Sequence, residues 1–190
     1  MPVDQIEFLA KAASLPYTAF GEHYNVGVPG YRIVGGNAIL SRTPLLPIAN
    51  LSLAGRPPFY STTNSHRALF AEAVVHGQTV MIGCLHNDSV DPDNNDRQMA
   101  QILSFVGDRP SILAGDFNAV PGSPTMKRVK STAKFVGQYE GFEKTPTAPS
   151  SNQLHYVLGP SQWTHAGSEK LDARLRHNPV LAVFTVSDKK

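Results

Sequence analysis

Hydrophobic positions along this chain come in short runs broken by Pro, Gly and polar residues. Between Val3 and Leu15, apolar side chains recur at Val3, Ile6 and Leu9 with Phe8 and Ala12 close by, which predicts an amphipathic helix that Pro16 ends. "YTAFGEHY" (Tyr17 to Tyr24) predicts a short strand and "GVPGYRIVGG" (Gly27 to Gly36) a turn-rich loop. "NAILSR" (Asn37 to Arg42) predicts a second short strand, closed by "TPLLP", and the polar, Pro-rich residues 50–66 predict a surface loop. In "RALFAEAVVHGQTVMIGCLH" two apolar runs flank "HGQ", where Gly77 supplies the positive φ of a tight hairpin turn. Met99, Ile102, Leu103 and Val106 lie at helical spacing in "NNDRQMAQILSFV", with Asp93, Asn94 or Asn95 as its cap. "PSILAG" is almost wholly apolar and predicts a strand buried on both faces. "SPTMKRVKS" predicts a short helix with Pro near its start, and "NQLHYVLG" and "NPVLAVFTV" the last two strands. With no internal repeat and no compositional break, one domain over residues 1–190 is expected. Strands joined by hairpins, with two or three outer helices, predict an α+β layered sandwich.

Composition sharpens this picture. With 190 residues, 41% hydrophobic and 17% charged, the chain has enough apolar matter for a core, and 15 Gly with 15 Pro favour strands and loops over a helix bundle. A formal net charge of +2 leaves nucleic acid open as a partner without pointing to it. The basic cluster "MKRVK" reads as a solvated helix face. The single cysteine, Cys84, forms no intramolecular disulfide and sits in an apolar run as a small hydrophobe. The first residues carry no basic region ahead of an apolar stretch, and no apolar run approaches the roughly 20 residues of a membrane span, so a cytoplasmic protein with no membrane partner is expected.

Polar residues that end or interrupt apolar strands mark the chemistry. They are His86 in "GCLHNDS", Asp116 and Asn118 in "GDFN", His155 in "LHYV" and His177 in "RLRHNPV". In an extended strand, residues two apart point to one side, which would aim Asp116 and Asn118 together. The set suits phosphoester hydrolysis. Asp116 would accept a proton from water, Asn118 would orient that water or donate to a non-bridging oxygen, and protonated His86 and His177 would stabilise charge on the phosphoryl group. No GxSxG elbow, Gly-rich phosphate loop or CxxC pair competes.

The succession "GNAILSR", "CLHNDS", "RQMAQIL", "GDFNAVPGSP", "LHYVL", "RHNPVLAVF" resembles the endonuclease/exonuclease/phosphatase superfamily. That resemblance implies a DNase I-like, four-layered α/β sandwich and a phosphoesterase that uses Mg²⁺ or Mn²⁺. It implies that Asp116 and Asn118 are the catalytic Asp and Asn, that His86 contacts the phosphate, and that His177, followed by Pro179 and Val180, is the final catalytic histidine. Arg67 falls where many members carry an arginine at a strand start. Three departures accompany these matches. The first strands, one carrying an Asn and one ending in a metal-binding Glu, have no counterpart. His155 and Arg176 stand where relatives carry Asp. Losing carboxylates and gaining a guanidinium favours an anion over a cation, so Asp116 and Asn118 are at most a weak metal site, and Arg176 and His155 become substrate-binding groups. The expected function is a phosphoester hydrolase with weak metal dependence; the alternative is a non-catalytic domain binding an anion or partner on the same fold. Substrates across the superfamily include DNA, RNA, lipid and inositol phosphates. Missing first strands would leave a strand edge and apolar strip exposed, which predicts a homodimer or higher oligomer.

Overall fold

The computed structural model describes residues 4–55, 66–140, 153–173 and 178–186. Its elements in chain order are α1 (Gln5–Ala13), β1 (Tyr17–Val28), β2 (Tyr31–Ser41), β3 (Leu46–Ser52), β4 (Arg67–Val75), β5 (Gln78–His86), α2 (Pro92–Val106), β6 (Ser111–Asp116), α3 (Pro124–Ser131), β7 (Phe135–Gly137), β8 (His155–Pro160), β9 (Thr164–Lys170) and β10 (Val180–Thr185). Six strands form one sheet in the order β3-β4-β5-β6-β8-β7, and β1–β2 and β9–β10 form two separate two-stranded sheets. The result is the expected α+β sandwich.

Local chemistry explains the boundaries. Asp4 caps α1 by accepting from the amides of Ile6 and Glu7. Asp91 caps α2, one turn position ahead of the residues the sequence suggested, because Pro92 occupies the first helical position and leaves Asp91 to accept from Asp93 and Asn94. The β4–β5 hairpin turns at His76 and Gly77, both with positive φ (49° and 74°), as a tight primed turn requires.

Four expectations need correction. The stretch Gly27 to Gly36 is no loop: strands β1 and β2 run through it as one long ribbon that turns only at Pro29 and Gly30. Residues 46–52 form strand β3, so the loop starts later than expected, and residues 56–65 lie outside the described residues. Strand β9 lacks an apolar run, and its pairing with β10 defines it. Strand β6 is buried on one face only: Ser111 and Leu113 are buried, whereas Ile112 and Ala114 are partly open.

One face of the six-stranded sheet carries α2 and α3. Phe70, Met81, Leu85, Leu113, Tyr156 and Leu158 pack there against Met99, Ile102, Val106, Met126 and Val129. Each such large side chain contributes roughly 1.5–3 kcal/mol relative to exposure. The opposite face carries the two hairpins. Ala19 and Ile39 of β1–β2 pack on Leu69 and Ala71, and Phe184 of β10 sits where a Cβ on Gly159 of β8 would go. Helix α1 buries no side chain.

Helix α2 also ties the loops after β5 and β6 together. The Asn95 amide, 2% exposed, donates to the carbonyls of Asp88, Phe117 and Asn118 and accepts from the Thr125 hydroxyl. Gln98 accepts from the Asp88 amide and donates to the Ala54 carbonyl. By contrast, both polar side-chain atoms of the fully buried Asn87 have no hydrogen-bond partner among the described residues. Removing one side of a buried hydrogen bond strands the other, at about 1–3 kcal/mol each, whereas removing an unpaired polar group does not. Asn95→Leu is therefore expected to lower unfolding free energy by several kcal/mol, and Asn87→Leu to leave it within about 1 kcal/mol of wild type or above it. Urea denaturation of both variants followed by circular dichroism measures the contrast.

Candidate active site

Strands β5 and β6 run parallel in a register that sets His86 beside Asp116, and β6 and β8 run antiparallel in a register that sets Asp116 beside His155. Three polar strand ends thus meet at one end of the sheet. Gly115 makes this approach possible. It has φ 138°, and a Cβ there would lie 2.0 Å from the Leu85 carbonyl oxygen.

The strand stops at Asp116, so Asp116 and Asn118 do not share a side through strand pleating. Asn118 instead takes a left-handed conformation (φ 46°), its amide N–H donating to Asp116 Oδ1 at 2.9 Å in a side-chain-closed turn. The Asn118 side-chain amide donates to the Asn87 carbonyl at 2.8 Å. It joins the ends of β5 and β6 and is absent from the cavity wall described below. Buried Phe117 lies between the two, with its ring edge-on to Tyr156 at 5.1 Å.

Asp116 Oδ2 lies 3.4 Å from His155 Nε2 and 3.9 Å from His86 Nε2. Burial pushes the Asp116 carboxyl up, but the hydrogen bond from His155, that from the Asn118 amide and the nearby charges of His155 and His86 outweigh it, and the net shift is downward. Asp116 is therefore ionised throughout the neutral range. A cavity of about 290 Å³ opens beside it, lined by Gly115, Asp116, His155, Tyr156, Val157, Asn178, Pro179 and Val180. Arg176 and His177 lie outside the described residues, as does the segment 141–152.

Two histidines escaped the sequence reading. His66 Nδ1 lies 3.2 Å from the His86 carbonyl, and its Nε2 lies 3.9 Å from Asp88 Oδ2. The hairpin register held the signal: pairing Ala68 with Leu85 places residue 66 opposite residue 87. His23, in the irregular step of β1 between Glu22 and Tyr24, is the second. Burial, then the charges of His86, Arg67 and His66, push its pKa down to about 4, which keeps it neutral. Arg67 donates to the Asn50 carbonyl, a brace between β4 and β3. Burial pushes the Cys84 thiol up to about 11, in keeping with an unreactive side chain. In the basic cluster, Arg128 pairs with both carboxylate oxygens of Asp96, and Lys130 with Glu140.

The described residues offer few oxygen ligands for Mg²⁺ or Mn²⁺. These ions favour roughly six oxygen ligands, whereas one oxygen of Asp116 accepts an amide N–H and the other faces two imidazoles. Among the described residues, no group of three His, Cys, Asp or Glu side chains is arranged to hold a metal ion. No described helix is long and apolar enough to cross a membrane.

Comparison with known proteins places this geometry. A model of the Endonuclease/Exonuclease/phosphatase family matches residues 3–175. No curated protein matches the chain by sequence. An endonuclease/exonuclease/phosphatase structure from Beutenbergia cavernae superposes with TM-score 0.68 at 18% identity, over 96% of this chain and 56% of that one. This chain therefore spans little more than half the length of that relative. The human nocturnin catalytic domain with bound sulfate gives TM-score 0.64 at 14% identity, covering 97% of this chain and 76% of that one. A mannosyl-6-phosphatase from Bacteroides thetaiotaomicron gives 0.63 at 14% identity, covering 95% and 81%. At these identities the superpositions speak for the fold, and the sequence match carries membership: the chain belongs to the endonuclease/exonuclease/phosphatase family.

Proposed function

We propose that the chain hydrolyses a phosphoester at the His86–Asp116–His155 group with little or no dependence on a divalent metal. The observation that carries this reading is the Asp116 carboxylate in a cavity wall, with imidazole nitrogens at 3.4 and 3.9 Å from one oxygen. A carboxylate with a depressed pKa is a weak proton acceptor, so proton transfer passes to the imidazoles it holds. Water attacks phosphorus while neutral His155, which shares the cavity wall with Asp116, takes its proton. The bond from phosphorus to the leaving oxygen breaks, and protonated His86 supplies that oxygen with a proton. Asp116 balances the positive charge on each imidazole in turn. In this reading Arg176 and His177 supply further donors to the non-bridging phosphoryl oxygens.

A second reading, an anion-binding domain without turnover, draws support from Asn118, whose side-chain amide donates one N–H to the Asn87 carbonyl rather than to the cavity. Phosphate binding with no hydrolysis of any phosphodiester would favour it. We also propose self-association through the sheet face between the two hairpins. There β2 rests on β4 and β5 and β10 on β8, and Ile112 and Ala114 lie partly open between them.

Asp116→Ala and His155→Ala are each expected to cut hydrolysis of bis(p-nitrophenyl) phosphate by roughly 10²–10⁴-fold while the protein stays folded. Unchanged rates in both would place the chemistry elsewhere. EDTA is expected to leave the rate within about twofold; full loss restored by Mn²⁺ would overturn the metal-independent part. A carboxyl whose folded pKa is depressed contributes stability above its ordinary value of 3.8 and loses it as pH falls through the folded value. Wild type is thus expected to lose stability more steeply than Asp116→Asn as pH drops below about 4, read by urea midpoints across pH. Light scattering at tens of micromolar is expected to give twice the 20.6 kDa chain mass.

A further inference from the structure

We infer that Asn178 is a phosphate-binding residue of the proposed site, its side-chain amide donating to a non-bridging phosphoryl oxygen, a role the sequence suggests for Asn118. This rests on the hydrolase reading above and adds a substrate contact to it. The non-bridging oxygens of a phosphoryl group need hydrogen-bond donors once they leave water. Most described donors beside the cavity are already used. In the hydrolase reading His155 receives the proton of water and His86 supplies the leaving oxygen. The Asn118 main-chain amide donates to Asp116 Oδ1, and its side chain donates to the Asn87 carbonyl. The main-chain amides of Asn87 and Phe117 donate to the Asp116 and Leu154 carbonyls. The Tyr156 hydroxyl donates to the Ala119 carbonyl.

Asn178 is the exception. It lines the same cavity as Asp116 and His155, just ahead of the first residue of β10. Its side-chain oxygen is buried and has no hydrogen-bond partner among the described residues. Oxygen and nitrogen lie on opposite sides of a carboxamide carbon, so an oxygen turned into the protein leaves the NH₂ end for the cavity. The ionised Asp116 carboxylate in the same cavity wall favours that orientation, because it attracts an N–H and repels a carbonyl oxygen.

The backbone holds this group in place before any ligand arrives. Asn178 precedes Pro179, whose ring clashes with a helical conformation at the residue before it and keeps that residue extended. The Leu171 amide donates to the Pro179 carbonyl, which ties the next residue to the segment that follows β9. A donor fixed in this way reorganises little when charge develops beside it. A buried oxygen without a donor lowers stability and does nothing for the fold. The orientation that leaves it unpaired is also the one that presents N–H groups to a ligand, so function and stability pull in opposite directions at Asn178.

The test compares wild type with Asn178→Leu and Asn178→Asp by calorimetric binding of methyl phosphate, kcat/KM for bis(p-nitrophenyl) phosphate and urea midpoint. Asn178→Leu removes a hydrogen bond to a charged acceptor, so affinity and kcat/KM are each expected to fall roughly 10- to 100-fold. Its urea midpoint is expected to match wild type or rise, because the unpaired oxygen is gone. Asn178→Asp keeps the shape and sets a carboxylate against the anion, so it is expected to bind more weakly than Asn178→Leu. A lowered urea midpoint in Asn178→Leu, or tighter binding by Asn178→Asp than by Asn178→Leu, is what a packing role alone predicts, and either overturns the inference. Unchanged affinity and kcat/KM in Asn178→Leu overturn it equally, and the hydrolase reading then stands on Asp116 and His155. If wild type binds neither inorganic phosphate nor methyl phosphate, and Asp116→Ala leaves hydrolysis unchanged, the hydrolase reading fails and the inference falls with it.

Discussion

The site depends on the buried side chain of Asn95. One amide bridges the loop after β5, through the Asp88 carbonyl, and the loop after β6, through the Phe117 and Asn118 carbonyls, while the Thr125 hydroxyl fixes its oxygen. These loops leave adjacent parallel strands and would otherwise present unpaired carbonyls under the helix layer. By satisfying them from one point, α2 holds the ends of β5 and β6 side by side. The neighbouring approach of Gly115 to the Leu85 carbonyl tightens the same junction. His86 and Asp116 meet because the backbone beneath them cannot spread.

That junction places an acid against bases rather than against a hard cation. In a half-buried setting, an isolated carboxylate would rise in pKa and an isolated imidazolium would fall. Beside His155 and His86, Asp116 shifts downward instead, and the acid stays ionised. The arrangement compensates its own charge. This suits an anionic ligand that draws protons toward the imidazoles, and it leaves few oxygens for a divalent ion.

The two hairpins divide the labour on the far face of the sheet. Near their bases they are core: Ala19, Ile39 and Phe184 pack on the sheet strands. The irregular step at His23 shifts the alternation of β1 by one residue, and beyond it the side of the ribbon that was core is exposed at Val28, Tyr31 and Ile33. A strand pair has a fixed period of two and cannot switch its apolar side to polar without changing residue types. Val28, Tyr31 and Ile33 keep the apolar type where burial has ended.

Much of this was legible in the sequence. Periodicity located α2 from Met99, Ile102 and Val106, the turn at Gly77 located the β4–β5 hairpin, and "GDFN" marked a polar strand end. Polar strand ends singled out His86, Asp116 and His155 before any pairing was known. What the sequence could not give was how strand ends add up in space. His66 and His23 joined the group through hairpin register and through a packed second layer, and both are relations between residues far apart in the chain. The glycines of "GVPGYRIVGG" suggested a loop because local propensity favours turns there, and cross-strand pairing with Tyr24 to Val28 overrode it. Asn118 was read as sharing a side with Asp116 through strand alternation, whereas the strand ends at Asp116 and a left-handed turn orients Asn118, one of its side-chain N–H groups meeting the Asn87 carbonyl. The sequence by itself determined which residues carry charge, where apolar runs stop and which turns are tight, because those are properties of one to a dozen neighbours. Register, layer packing and the ionised state of Asp116 were decided only by the tertiary structure, because each depends on groups that the chain separates and the fold brings within a few ångströms.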